Sequence, residues 1–208
     1  MKLKHLEMTL QKAAGYAKPR PSLEQYMTPA PLAARLLYHA LMKGDIEGKN
    51  VCDLGSGTGV LAIGAALLGA DSVKGVEKDP HAVVVAQENA ALLGAEVEFI
   101  VADIIDTTLP EKIGACDTIV MNPPFGAQKV HADRPFVDLA IRTAPVVYSI
   151  FNAGSTPFVK AFIRKRAEVA EQVGSAFPIR RTFAFHTRDV LEFEVEILRL
   201  VRRPYPSQ

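Results

Sequence analysis

Two short segments hold residues whose types and spacing could do chemistry. The first, Asp53-Leu54-Gly55-Ser56-Gly57-Thr58-Gly59-Val60, follows an apolar strand-like run and precedes a helical period. Glycine at positions 55, 57 and 59 tolerates positive φ and has no Cβ, so this backbone could approach a ligand closely at the carboxyl end of a sheet. A dinucleotide fingerprint would need glycine where Val60 stands, and no Gly-Lys-Ser/Thr sequence follows, so a pyrophosphate loses its main support. The spacing suits a bulky ligand without pyrophosphate, with Asp53 placed to bond an ammonium group. S-adenosylmethionine has those properties. Glu77 comes twenty residues after Gly57, the offset at which an acid accepts both hydroxyls of a ribose. Asp79 suits a helix cap near His81, and Asp103, after the third strand, could accept from the exocyclic amine of an adenine. Each acid alone would suit a solvated turn. Three at the exits of successive strands, behind one glycine loop, point to a nucleoside site.

The second segment is Asn122-Pro123-Pro124-Phe125. The two proline rings fix φ, and each pushes the preceding residue out of the helical region, so the Asn122 side-chain carbonyl and the Pro123 backbone carbonyl are held rigid. Two convergent acceptors beside an exposed aromatic ring suit methylation of a planar amine. The lone pair of such an amine is delocalised, and its N–H groups must be held so that the nitrogen can meet an incoming methyl. Phe125 could stack on the base, worth about 1–3 kcal/mol. A Pro-Pro turn with a buried Phe is the plain structural alternative.

These segments need elements to position them. Strands are expected at 51–54, 73–77, 97–101, 118–121 and 146–151, alternating with helices at 60–68, 81–93 and 136–143. Strand then helix, repeated, predicts an α/β, doubly wound, mostly parallel sheet. A basic helix is expected at 157–173. Strands at 179–185 and 191–200, joined by a turn at 186–190, would complete seven strands as an antiparallel hairpin. Alternation of Leu191, Phe193, Val195 and Ile197 with Glu192, Glu194 and Glu196 predicts one buried face and one wet face. Residues 1–44 form an N-terminal extension of this single domain, comprising a short amphipathic segment, a proline-rich stretch and a helix. Thr28 before Pro29 reads as the N-cap of that helix, whose apolar face is Leu32, Leu36, Leu37 and Leu41.

Composition narrows the function classes. With 208 residues, 49% of them hydrophobic, the chain can bury a real core. Lys and Arg number 24 against 23 acids, so no global field draws it to a polyanion, and nucleic-acid binding would need a local patch. Cys52 and Cys116 lie in apolar runs without metal-ligand spacing, which fits a reducing cytoplasm and no metal. The longest uncharged run, 60–70, is too short to span a membrane.

The chain resembles the Rossmann-like S-adenosylmethionine-dependent methyltransferases that act on amines, and more narrowly the archaeal and eukaryotic small-subunit rRNA N6-adenosine methyltransferases. The resemblance rests on Leu23-Glu24-Gln25-Tyr26-x-Thr28, the glycine loop through Leu61, Val120 to Gly126, Val147-Tyr148-Ser149, Phe185-His186 and Glu194-Val195, and spans nearly the whole chain. It implies that Gln25, Tyr26 and Thr28 contact the methionine end of the cofactor. Gly55, Gly57, Thr58, Gly59 and Val60 would line the loop, Glu77 would hold the ribose, and Asp103 with Ile104 would frame the adenine. Asn122, Pro123, Pro124 and Phe125 would handle the target adenosine. Met27 stands where the family often has Pro, and Ser56 and Thr58 where human-type sequences have Cys; no required group is lost. A small zinc-ribbon activator protein is a further implied partner.

For RNA, Lys129, Arg134, His186 and Arg188 are the better contacts because they sit in loops at, or as the resemblance implies near, the catalytic edge. The helix carrying Arg164 to Arg166 reads as a solvated face, and His81 and His131 as ordinary surface residues. The target base must be unpaired or flipped out. Protein glutamine N5-methylation, DNA adenine N6-methylation and an idle cofactor-binding scaffold in ribosome assembly are the alternatives. Phe125 and the short N-terminus count against the first, and the intact tetrad against the last.

Overall fold

A computed structural model describes residues 1–16, 18–20, 24–125, 131–180 and 190–204, with the backbone alone at 176–180 and 190–193. A seven-stranded sheet has the order β3-β2-β1-β4-β5-β7-β6. Its strands are β1 (Asn50–Leu54), β2 (Ser72–Glu77), β3 (Glu98–Val101), β4 (Thr118–Met121), β5 (Val146–Asn152), β6 (Ala167–Arg180) and β7 (Val190–Arg202). The first five pair in parallel, while β7 runs antiparallel between β5 and β6. The order reverses beside β1, where β2 lies on one side and β4 on the other, and ligands of open α/β sheets bind at such a point.

Helices cover both faces, so the central strands read as apolar runs with alternate residues feeding opposite cores. In β4, Val120 joins a cluster built with α1 (Leu3–Leu10), α2 (Ala30–Met42) and α3 (Val60–Leu67), together with Ala90 of α4 (Pro80–Leu93). Ile119 and Met121 join the cluster formed with α5 (Leu109–Ile113), α6 (Arg134–Thr143) and α7 (Thr156–Ile163). No helix among the described residues is long and apolar enough to cross a membrane.

Three local expectations are corrected. The basic helix ends at Ile163, and Ala167 opens β6, so much of the stretch 157–173 is strand. Its Ala, Glu and Gln favour helix, but pairing along β7 overrides that weak preference. The expected strand 179–185 falls largely, and the turn 186–190 almost wholly, outside the described residues. Glu196 is not on a wet face: β7 is an interior strand covered by α7, and Glu196 is buried, accepting from the Thr156 backbone N–H and from the Gln172 amide. A carboxylate there satisfies an orphan donor at the start of α7. Thr28 does not cap α2, whose N-cap is Pro29; its hydroxyl is engaged elsewhere.

Candidate active site

A cleft enclosing about 870 Å³, its mouth included, opens at the carboxyl ends of β1, β2 and β4. Gly55, Gly57, Thr58 and Val60 line it, as do Asp53, Glu77, Asp103, Ile104, Asn122 and Pro124, together with Gln25, Tyr26 and Thr28. Residues from five separate stretches of sequence thus meet at one site. Gly59 lies behind it: as the left-handed N-cap of α3, it meets Phe99, Ala86 and Ile63, so it serves packing. Pro123 is buried, and half-buried Phe125 packs against the larger core cluster, so its ring is less exposed than expected.

The loop after β1 is left-handed at Gly55 and Gly57, with φ of 74° and 54°. A Cβ at Gly57 would lie 2.2 Å from the Tyr16 hydroxyl, and one at Gly55 would lie 2.9 Å from the Phe136 ring. Any side chain is therefore excluded twice, by backbone and by space. No sequence signal singles out Tyr16 or Phe136, and Tyr16 lies in a stretch that reads as a linker. Burial, then the charges of Glu77, Asp53 and Asp79, raise the Tyr16 phenol, which stays neutral over this acidic wall.

Asp53 is wholly buried. Its Oδ2 accepts from the Ala62 backbone N–H at 3.0 Å, fastening the first turn of α3, while Oδ1 has no partner among the described residues. Burial pushes its carboxyl up to about 8, against the pull of the Ala62 bond and with a further push from Glu77. Glu77 accepts from Gly57 N–H at 3.0 Å and from Asp79 N–H at 2.9 Å, one bond per oxygen. Each oxygen keeps a second lone pair.

Gln25 is committed differently from the expectation. Its Nε2 donates to Asp79 Oδ2 at 2.7 Å and its Oε1 accepts from the Arg20 backbone N–H at 2.8 Å. Arg20 Nη2 also donates to Asp79 Oδ1 at 2.9 Å, and Asp79 caps α4 through the His81 N–H. Burial alone would raise the Asp79 carboxyl, but these donors together hold it below its ordinary value. Farther back, Asn89 bonds both Ala14 and Thr58. The described residues of the proline-rich stretch are thus tied over the β1–β2 side of the cleft as a strap.

On the other side, Asn122 Nδ2 donates to the Thr28 hydroxyl at 3.0 Å. That bond fixes the amide and leaves Asn122 Oδ1 buried without a partner among the described residues. Such an orphan acceptor costs about 1–3 kcal/mol unless a ligand donor meets it.

Of the residues expected to meet RNA, Lys129, His186 and Arg188 lie outside the described residues. Arg134 opens α6, with its guanidinium 4.9 Å from the centre of the Phe158 ring. Arg166 is not simply solvated: it pairs with Asp138 and lies over Phe162.

Residues 31–149 match the family model described as Methyltransferase small domain. The chain is 34% identical to the Drosophila melanogaster rRNA N(6)-adenosine-methyltransferase Mettl5 over 96% of each chain. It is 32% identical to the zebrafish (Danio rerio) METTL5 of the same name, over 96% of this chain and 98% of that one. The crystal structure of PH1948 from Pyrococcus horikoshii, a candidate RNA methyltransferase, superposes with a TM-score of 0.86 at 39% identity, covering 98% and 99% of the two chains. Sheet order, glycine loop and end-to-end similarity agree, and the chain belongs to the methyltransferase small domain family.

Proposed function

We propose that this protein transfers the methyl group of S-adenosylmethionine to the N6 amine of an unpaired adenosine in structured RNA, with small-subunit rRNA as the substrate. The observation that carries the reading is Asn122 Oδ1, a buried acceptor in the cleft whose own amide is anchored by Thr28 and which meets no donor among the described residues. The names of the fly and zebrafish relatives, which align from end to end, support adenosine in rRNA as the target.

The cleft suits the cofactor on observations of this chain. The unpartnered Asp53 Oδ1 would take the ammonium of the methionine moiety, Glu77 the ribose hydroxyls, and Asp103 with Ile104 the adenine edge. The glycine loop and Tyr16 would bound the middle. When bound, the cofactor supplies an electrophilic methyl on a sulfonium. Asn122 Oδ1 and the Pro123 carbonyl would accept the two N6–H bonds and turn the nitrogen lone pair out of conjugation toward that methyl. As the N–C bond forms and the S–C bond breaks, positive charge grows on N6, and the two carbonyl dipoles stabilise it. The methylated ammonium is acidic, so its proton passes to water without a strong base.

Incubation of the purified protein with S-adenosylmethionine and small-subunit rRNA lacking the mark, followed by nucleoside mass spectrometry, should yield N6-methyladenosine. Methyl appearing only on DNA adenine or on a protein glutamine amide would replace this reading. A zinc-ribbon activator enters only through the resemblance, and a chain that methylates rRNA alone would dispense with it.

A further inference from the structure

We infer that the aromatic and cationic cluster running from the start of α6 along α7 is a stacking site for unpaired nucleotides flanking the target adenosine; this rests on the RNA reading above. The rings of His131, Phe158 and Phe162 form a nearly parallel array. His131 and Phe158 have centroids 6.0 Å apart at 15°, and Phe158 and Phe162 are 6.1 Å apart at 20°. Arg134 lies over Phe158 and Arg166 over Phe162. His131 and Phe158 are exposed.

Val137, Ile141, Val159 and Ile163 fill the buried core there and Phe162 packs against it, but His131 and Phe158 are not part of that core. An exposed phenyl ring flanked by an exposed imidazole and an arginine is instead a sequence-tolerant platform for bases. Two further features point to a ligand. The Arg134 Nε is buried with no acceptor among the described residues, although Nη2 reaches His131 Nε2 at 3.1 Å. His131 is held at φ 65°, a left-handed conformation that costs free energy in any residue with a Cβ. The charge also suits a phosphate backbone: residues 156–166 contain no acid, and Lys160, Arg164 and Lys165 make no ion pair among the described residues.

Position completes the argument. The first turns of α6 and α7 follow the carboxyl ends of β4 and β5, the edge that carries Asn122. Phe136, two residues beyond Arg134, lines the cofactor cleft. A strand entering the cleft with one base extruded would lay its neighbours across this cluster. An acidic peptide could use the arginines but not the parallel rings, so RNA is favoured.

The test compares oligoadenylate of about a dozen nucleotides with an abasic ribose-phosphate oligomer of the same length and charge, read by fluorescence anisotropy. The protein should bind the oligoadenylate about tenfold more tightly. Phe158→Ala should lose that preference and Phe158→Trp should restore it, with S-adenosylmethionine affinity and melting temperature as controls on folding. His131→Ala, at an exposed position, gives a second reading should Phe158→Ala fail those controls. Equal binding of the two oligomers by the unmodified protein, an undiminished preference in these alanine variants, or stronger binding of polyglutamate than of either oligomer would overturn the inference. If rRNA gains no methyl yet the base preference holds, the methylation reading fails and the stacking site stands. Methylation without the preference removes the stacking site and leaves the methylation reading in place.

Discussion

On the β1–β2 side of the cleft, the polar groups are buried and tied to backbone: Asp53 to Ala62, Glu77 to Gly57 and Asp79, Gln25 to Arg20. On the β4–β5 side, beyond Asn122, the half-buried Arg134 is cationic and lies among the exposed rings of His131 and Phe158. The difference follows from what each side must hold. A small ligand of fixed shape gains from a dry, preorganised wall, where each hydrogen bond is strong and no water need be reordered. A long polyanion is met through screened charge and stacking, which do not demand one register. Asn122 stands at the boundary, half-buried, with its Oδ1 buried like the first side but left open for the second.

The sharpest way to break the comparison is at that boundary. Asn122→Ala should lower the methylation rate by about 10²–10³, while calorimetry finds cofactor affinity almost unchanged; a rate near that of the parent protein would remove Asn122 from the chemistry. Next in size is Asp53→Asn, expected to weaken cofactor binding by about 10–100-fold near pH 8. The sign of its pH dependence follows from the carboxyl being pushed up to about 8. Below that value the empty cleft holds a neutral acid that must lose its proton to meet an ammonium, so affinity should rise with pH up to about 8. It should fall above that as the cofactor's amino group, near 7.7–8.0, deprotonates. Asp53→Asn should abolish the rising limb; the same limb in both proteins would assign it to another group.

Thr28→Val tests whether the strap serves the catalytic amide or the cofactor. Loss of one hydrogen bond to Asn122 should cut kcat about five- to tenfold with a smaller change in cofactor affinity, and the reverse pattern would return Thr28 to the methionine end. The smallest effect is expected for Arg20→Ala. Its guanidinium is half exposed where it pairs with Asp79, so cofactor affinity should change by about twofold at most. A large loss would make the strap a working part of the pocket wall.

What sequence makes legible is what a strand, its loop and the next helix fix locally. Asp53, Gly55, Gly57 and Glu77 reach the cleft because each lies at or just past the carboxyl end of a parallel strand, and Asn122 because Pro123 and Pro124 stiffen the turn after β4. The pairings that finish the site join distant positions and follow no period. Thr28 reads as a helix cap until Asn122 is seen beside it, Gln25 reaches Asp79 across the chain, and Tyr16 rests on Gly57 from a stretch that looks like a linker. Glu196 and β6 mislead for a related reason. Alternation and composition describe a strand in isolation, whereas α7 and the partner strand decide which of its residues are buried.

The most direct test is a crystal structure of the product complex, with S-adenosylhomocysteine and an N6-methyladenosine nucleotide bound. The account predicts the ammonium at Asp53 Oδ1 and the modified nitrogen about 2.7–3.2 Å from Asn122 Oδ1, with its methyl directed at the sulfur. A base lodged elsewhere, with Asn122 Oδ1 still without a donor, would contradict it.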